Sequence, residues 1–165
     1  MKGENIMKKL YIKRVFLIIL VIINCIVIFS FSSQEADKSS STSSKVVDVV
    51  MKNVYSKKKK PKVKEDVFRE KLTTFVRKSA HFLIYLCLGI LTFLYTGTYQ
   101  LNFKNRFLYT IIFCMLYACS DEIHQKFVEG RSGEIRDVCI DTSGAACGIL
   151  VISLISKIAK LIKKK

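Results

Sequence analysis

The apolar residues of this chain are gathered into four blocks, and this grouping constrains the fold more than any other feature. The blocks cover residues 15–31, about 79–99, 107–119 and 142–162. A soluble domain spreads its apolar residues at helical or strand periods, whereas long blocks separated by charged gaps are typical of a polytopic membrane protein. The sequence therefore predicts an all-α membrane protein with four transmembrane helices.

Two of these blocks are unusual. The first follows a basic tail, as a secretory signal core does, but it is longer than such a core and is followed by SFSSQ rather than a small-residue cleavage site. We predict that it is a retained anchor.

The third block is shorter than the roughly 20 residues that cross a bilayer. It reaches that length only if residues 120–124 continue the helix, which would carry Asp121 and Glu122 into the membrane interface.

Charge predicts the orientation. The net charge is +15, and both the tail 1–14 and the tail 156–165 are basic, so the positive-inside rule places both termini in the cytoplasm. Residues 15–155 then form the membrane domain, with a basic external loop at 35–78. That loop opposes the rule, but long loops carry little weight in it. Within it we expect a serine-rich linker, a short amphipathic helix at 45–55 and a solvated KKKKPK run.

The stretch 120–141 is the most informative for function. It holds six acidic and three basic side chains and a histidine between two apolar blocks. Ionisable groups at the edge of a bilayer are costly to place and by default mark a functional site. The sequence therefore indicates the location of the site more clearly than its chemistry.

Polar side chains at three predicted helix ends recur at helical spacing, which puts each set on one helix face. The sets are Lys78, His81 and Tyr85; Asp121, His124 and Gln125; and Asp137 and Asp141. With four alternating helices these ends lie at the same side of the membrane, where Ser32, Ser33 and Gln34 end the first helix. We predict that the polar helix ends converge on the outer face and form a shared pocket.

Three motifs in the chain resemble the VanZ-like family of small bacterial integral membrane proteins. They are SFSSQ after the first block, KSAHFLIYLCLG at the start of the second, and DEIHQ-x-F-x-x-GR-x-x-x-x-x-DV-x-x-D-x-x-G leading into the fourth. The motifs stand in the family's order with comparable spacing. The chain departs from the family pattern at Glu129, where proline is frequent, and at Ile84, where an acid is frequent.

The resemblance implies a four-helix fold in the bacterial plasma membrane and a link to glycopeptide antibiotics, because the family's namesake is similar to a factor giving low-level teicoplanin resistance. It also implies the polar positions of the site. These are Ser32, Ser33, Gln34, Lys78, His81, Tyr85, Asp121, Glu122, His124, Gln125, Arg131, Asp137 and Asp141.

Several functions fit these residues. The first is recognition of a cell-envelope molecule, such as an anionic lipid or a lipid-linked wall precursor, with Lys78, Arg131 and Arg136 holding phosphate. The second is a membrane enzyme acting on such a lipid, whose histidines and carboxylates would ligate a divalent cation or share protons. The third is a structural charge network or a partner-binding role, and transport is a further class. We expect no cofactor and no nucleic-acid binding, and the oligomeric state stays open.

Overall fold

The chain folds into long α-helices. The computed structural model describes residues 2–34, 62–131 and 133–163, together with 44, 47–49 and 52, and no β-strand occurs among them. Four helices are defined: α1 (Lys2–Ser32), α2 (Lys62–Thr96), α3 (Phe103–Gln125) and α4 (Ile135–Ile162). The all-α prediction is confirmed.

Two helices begin well before the apolar blocks that predicted them. Helix α1 includes the basic tail, and α2 includes residues 62–78, so the prediction that these residues belong to the external loop 35–78 is wrong in its helical part. Lysine, glutamate, arginine and leucine are all good helix formers, so a charged segment extends a helix that an apolar block has already nucleated. Of the expected helix at 45–55, residues 47–49 and 52 are helical; its other residues and residues 57–61 lie outside the described part.

The helices alternate in direction. At one end of the bundle, Arg14 of α1 donates hydrogen bonds to the Oγ1 (3.1 Å) and carbonyl oxygen (2.9 Å) of Thr98, just after α2. Arg106, near the start of α3, donates to the carbonyl oxygen of Phe93 at 2.9 Å. At the other end, Ser32 of α1 meets Asp121 of α3. The end of α1, the middle of α2, the end of α3 and the start of α4 therefore share one end of the bundle.

Helices α2 and α4 approach each other through glycines. A Cβ added at Gly144 would lie 2.4 Å from the carbonyl oxygen of Phe82, and one at Gly148 would lie 2.2 Å from that of Leu86. On the facing helix, a Cβ at Gly89 would lie 2.3 Å from the carbonyl oxygen of Ala145. These glycines form a small-residue contact face between the two helices, because only hydrogen at these positions permits such close backbones.

Three helical spans are long and apolar enough to cross a membrane: Gly3–Ser32, Val67–Thr96 and Ile135–Ile162. Helix α3 is not among them, since charged residues at both of its ends leave only a short apolar stretch. Large apolar side chains face outward on several helices; Phe16, Leu116 and Leu150, for example, are each 60% exposed. This surface and the three spans indicate a membrane protein.

The α2–α4 contact makes a prediction about stability. Replacing Gly148 by alanine inserts a methyl group where the Leu86 carbonyl already stands, and such overpacking costs about 1–3 kcal/mol. We expect Gly148→Ala to unfold at a lower temperature in detergent, as measured by size-exclusion chromatography after heating. Gly3→Ala is the matched control, because nothing lies within 4 Å of a Cβ there. Equal unfolding temperatures for the two variants would contradict the close packing.

Candidate functional site

A buried hydrogen-bond network joins α1 to α3 at the polar end of the bundle. Ser32 donates through Oγ to Oδ2 of Asp121 at 2.8 Å. The Gln125 amide donates to the same Asp121 oxygen (3.1 Å), to the Ser32 Oγ (3.3 Å) and to Oε1 of Glu122 (3.3 Å). All four residues are buried. Two buried carboxylates are thus held by neutral donors.

The loop between α3 and α4 closes over this network. Gly130 has φ 73°, a left-handed conformation that glycine adopts without strain. A Cβ at Gly133 would lie 2.4 Å from the carbonyl oxygen of Glu122, so the loop backbone passes directly against α3. The backbone N–H of Glu134 then donates to Oε2 of Glu122 at 2.8 Å. The loop thereby fixes both the position of Glu122 and the start of α4.

Lys78 links α2 to the start of α4. Its ammonium group forms an ion pair with Asp137 and lies 3.5 Å from Oε2 of Glu134. The Lys78 side chain is 16% exposed and that of Asp137 22%, so this pair is only partly screened by solvent. It is the kind of contact that the structural interpretation of the charge cluster predicts.

Deeper in the bundle, several polar atoms lack partners. Nδ1 of His81 lies 4.0 Å from Oδ2 of Asp141, which is too long for a hydrogen bond. That Asp141 oxygen and the Tyr85 hydroxyl are buried without a hydrogen-bond partner in the described structure. Buried polar groups are almost always paired, and each exception requires an explanation. A ligand, an ion or water is therefore expected beside them.

A cavity of about 60 Å³ lies among these groups. Its lining residues are Arg77, Lys78, His81, Glu122, Gln125, Gly130, Arg131, Glu134, Asp137, Ile140 and Asp141. Side chains from α2, α3, α4 and the α3–α4 loop all contribute. The volume suits a few water molecules or a compact charged group.

Arg131 brings positive charge to this cavity. One of its terminal nitrogens donates to the carbonyl oxygen of Phe31 at 3.2 Å, while its buried Nε has no hydrogen-bond partner among the described residues. Burial lowers the pKa of the guanidinium and Arg77 acts in the same direction, whereas Asp121 and Glu122 raise it. An arginine nevertheless stays protonated at neutral pH. The cavity therefore holds a permanent cation with spare donors.

An apolar groove adjoins the cavity. It has a volume of about 730 Å³, runs between α2 and the start of α4, and shares Lys78 and Ile140 with the cavity lining. Phe75, Phe82 and Leu83 supply apolar surface, and basic side chains lie along its edge, Arg136 among them. A polar cavity beside an apolar groove is complementary to an amphiphile, which has a polar headgroup and an apolar chain.

The structure does not bring every predicted residue into the cavity. His124 lies to one side, stacked on Phe29 with ring centroids 4.5 Å apart, and its Nε2 is 3.1 Å from the Ser33 Oγ. Gln34 makes a backbone hydrogen bond to Phe31 at 3.4 Å, and no contact places its side chain in the cavity. Tyr85 and Asp121 are buried but are not among the residues that line the cavity.

Two lining residues, Arg77 and Glu134, were absent from the predicted set. Arg77 directly precedes Lys78, and Glu134 lies within the charged stretch 120–141. These positions beside charged residues are the only sequence signal for Arg77 and Glu134. Neither residue lies on the predicted polar helix faces or at a fixed position of the family motifs.

The buried network predicts an effect on stability. Ser32→Ala removes one of the two side-chain donors to Asp121, and a buried carboxylate that loses a hydrogen bond costs about 1–3 kcal/mol. We expect a clear fall in thermal stability in detergent. Ser30→Ala is the matched control, because the exposed Ser30 hydroxyl donates to the carbonyl of Ile26 in its own helix and, among the described residues, to no other helix. Two variants of equal stability would show that the network does not hold α1 to α3.

The comparison with known proteins yields a family. No curated protein and no solved structure matches the chain significantly. The family model described as VanZ/LLP1 matches residues 16–156, which include the second and third blocks whole, most of the first and fourth, and every residue that lines the cavity. This match confirms the resemblance drawn from the motifs and spans most of the sequence, so the chain belongs to the VanZ/LLP1 family.

Proposed function

We propose that this protein recognises a cell-envelope molecule with an anionic headgroup, a lipid or a lipid-linked wall precursor, at the polar end of its bundle. The observation that carries the proposal is the cavity, which adjoins an apolar groove and has three basic side chains (Arg77, Lys78 and Arg131) among four acidic ones. Three of the acids are already engaged, Asp137 and Glu134 by Lys78 and Glu122 by Gln125 and the Glu134 N–H, which leaves the two arginines available to an anionic group. A phosphate group fits beside the guanidinium donors, and an acyl chain fits the groove.

The proposed topology has four crossing helices. Helix α3 has 23 residues, about 1.5 Å of length each, and is therefore long enough to cross the hydrocarbon layer of about 30 Å. It also contacts its neighbours at both ends of the bundle, through Arg106 and through Asp121. With the basic termini in the cytoplasm, the cavity opens toward the outer leaflet of a bacterial plasma membrane.

Unpartnered atoms favour recognition over a purely structural network. A network that only fixes the helices would satisfy its own members, as the Lys78–Asp137 pair does. Instead, Nε of Arg131 and Oδ2 of Asp141 are buried without hydrogen-bond partners among the described residues, and both side chains line the cavity. A bound headgroup and its waters would supply the missing partners.

A membrane enzyme acting on the same class of lipid is the second candidate. The proximity of His81 to Asp121 and Asp141 favours it, because an imidazole beside carboxylates is suited to general acid–base work. Binding and turnover separate the two candidates. An enzyme variant that lacks the imidazole retains the lipid but does not convert it, whereas a binding protein returns the lipid unchanged in every variant.

Lipid binding is measured directly on the purified full-length protein by native mass spectrometry. We expect phosphatidylglycerol to bind more tightly than phosphatidylcholine with the same acyl chains. Arg131→Lys keeps the charge but loses the guanidinium fork, and should weaken phosphatidylglycerol binding by about tenfold, or ~1.4 kcal/mol. Lys160→Gln, a charge change on the exposed end of α4, is the control and should bind as wild type does. Equal binding of the two lipids, or an unaffected Arg131→Lys, would contradict the proposal.

Tolerance of teicoplanin and related lipoglycopeptides is the proposed consequence in cells. We expect wild type to raise the inhibitory concentration of teicoplanin in a susceptible bacterial host, and Arg131→Lys to lose this protection at unchanged membrane abundance. Both quantities are recorded together, with Lys160→Gln as the control. Absence of protection by wild type would remove the antibiotic link, whatever the lipid measurement gives. Loss of abundance in Arg131→Lys alone would assign Arg131 to the structural network instead.

A further inference from the structure

Three helices each bring one ligating side chain to the same point. His81 of α2, Asp121 of α3 and Asp141 of α4 each offer one ligand atom, and these atoms all lie within 4.8 Å of one another. Ligands that share one ion stand about 2.0–2.5 Å from it, so atoms of one coordination sphere are at most about 5 Å apart. The three side chains therefore have the spacing of a single coordination sphere.

The two carboxylates of this cluster are deeply buried, and the nearby cations Arg131 and Lys78 form no direct ion pair with them among the described residues. Asp121 is 4% exposed and Asp141 1% exposed. In the part of the chain that the structure describes, neither forms an ion pair with a lysine or an arginine, since the nearby Lys78 is paired with Asp137 and Glu134. Buried charges normally pair or coordinate metals. One divalent ion would balance both carboxylates beside a neutral imidazole.

The hydrogen bonds around the two carboxylates resemble those that surround metal ligands, because each carboxylate keeps one oxygen without a hydrogen-bond donor in the described part of the chain. Both side-chain hydrogen bonds that Asp121 accepts, from Ser32 and from Gln125, go to Oδ2, which leaves Oδ1 available. Oδ2 of Asp141 is buried, has no hydrogen-bond partner among the described residues and lies on the side of His81. Outer hydrogen bonds of this kind orient ligating carboxylates.

We propose that His81, Asp121 and Asp141 bind one divalent transition-metal ion that accepts mixed nitrogen and oxygen ligands, such as Mn²⁺ or Zn²⁺. One imidazole and two carboxylates suit these ions better than Mg²⁺, which favours oxygen alone. His81 and Asp141 also line the cavity, so the remaining coordination positions face it. The metal site stands whether or not the cavity binds a lipid headgroup.

The test uses the full-length protein in detergent, with any affinity tag removed and bound metal stripped by a chelator. Mn²⁺ alone is the probe, because it is paramagnetic and binds thiols weakly, so the six free cysteines do not compete. Electron paramagnetic resonance should show one bound Mn²⁺ per chain, displaced by Zn²⁺. We expect His81→Gln and Asp141→Asn to bind at least about tenfold more weakly. His124→Gln, which changes the histidine outside the cavity, should bind as wild type does.

Two results would overturn the proposal: no Mn²⁺ bound by wild type, or His81→Gln binding with unchanged affinity. Size-exclusion profiles establish whether each variant is folded. If the variants do not fold, a second measurement uses wild type alone. Pulsed paramagnetic resonance should detect a histidine nitrogen coupled to the bound Mn²⁺, and an ion without such coupling would place it elsewhere, on oxygen ligands only.

Discussion

The close packing of α2 against α4 sets the position of two polar side chains at the centre of the site. Gly144 and Gly148 allow the α4 backbone to touch the carbonyl groups of Phe82 and Leu86. His81 directly precedes Phe82, and Asp141 lies one turn before Gly144, so the same contact brings these two side chains to 4.0 Å. A larger residue at either glycine would separate the helices and widen the site. The packing of the helices and the geometry of the site therefore depend on the same interface.

Electrostatics explains why the polar groups gather at one end. In a low-dielectric environment an unpaired charge is expensive, so each ionisable group has to find a partner, a ligand or the membrane surface. Lys78 forms an ion pair with Asp137, and Asp121 accepts hydrogen bonds from Ser32 and Gln125. Asp141 has no such partner among the described residues, although it is almost wholly buried. The network is therefore satisfied at most of its members and incomplete at Asp141, which lines the cavity.

Much of this arrangement was accessible from the sequence, since helical periodicity and alternating helix direction suffice to place polar faces together. Periodicity does not report how far a charged segment extends a helix, so the start of α2 at Lys62 was not predicted. Periodicity also shows which residues share a helix face, but it does not show which of them reach the cavity. His124 shares a face with Asp121 in sequence, yet it stacks on Phe29 outside the cavity. Loop residues such as Glu134 follow no period, and only the folded chain places them.

The central claim is that the polar helix ends enclose space for a ligand. A crystal structure of the full-length protein, from crystals grown in a lipidic phase, tests this claim most directly. The account predicts the Ser32–Asp121 contact, His81 and Asp141 separated as they are here, and electron density from a non-protein group beside Arg131. A cavity closed by direct contacts, with Arg131 paired to Glu122 and His81 hydrogen-bonded to Asp141, would contradict it. The cluster would then be a structural network and nothing more.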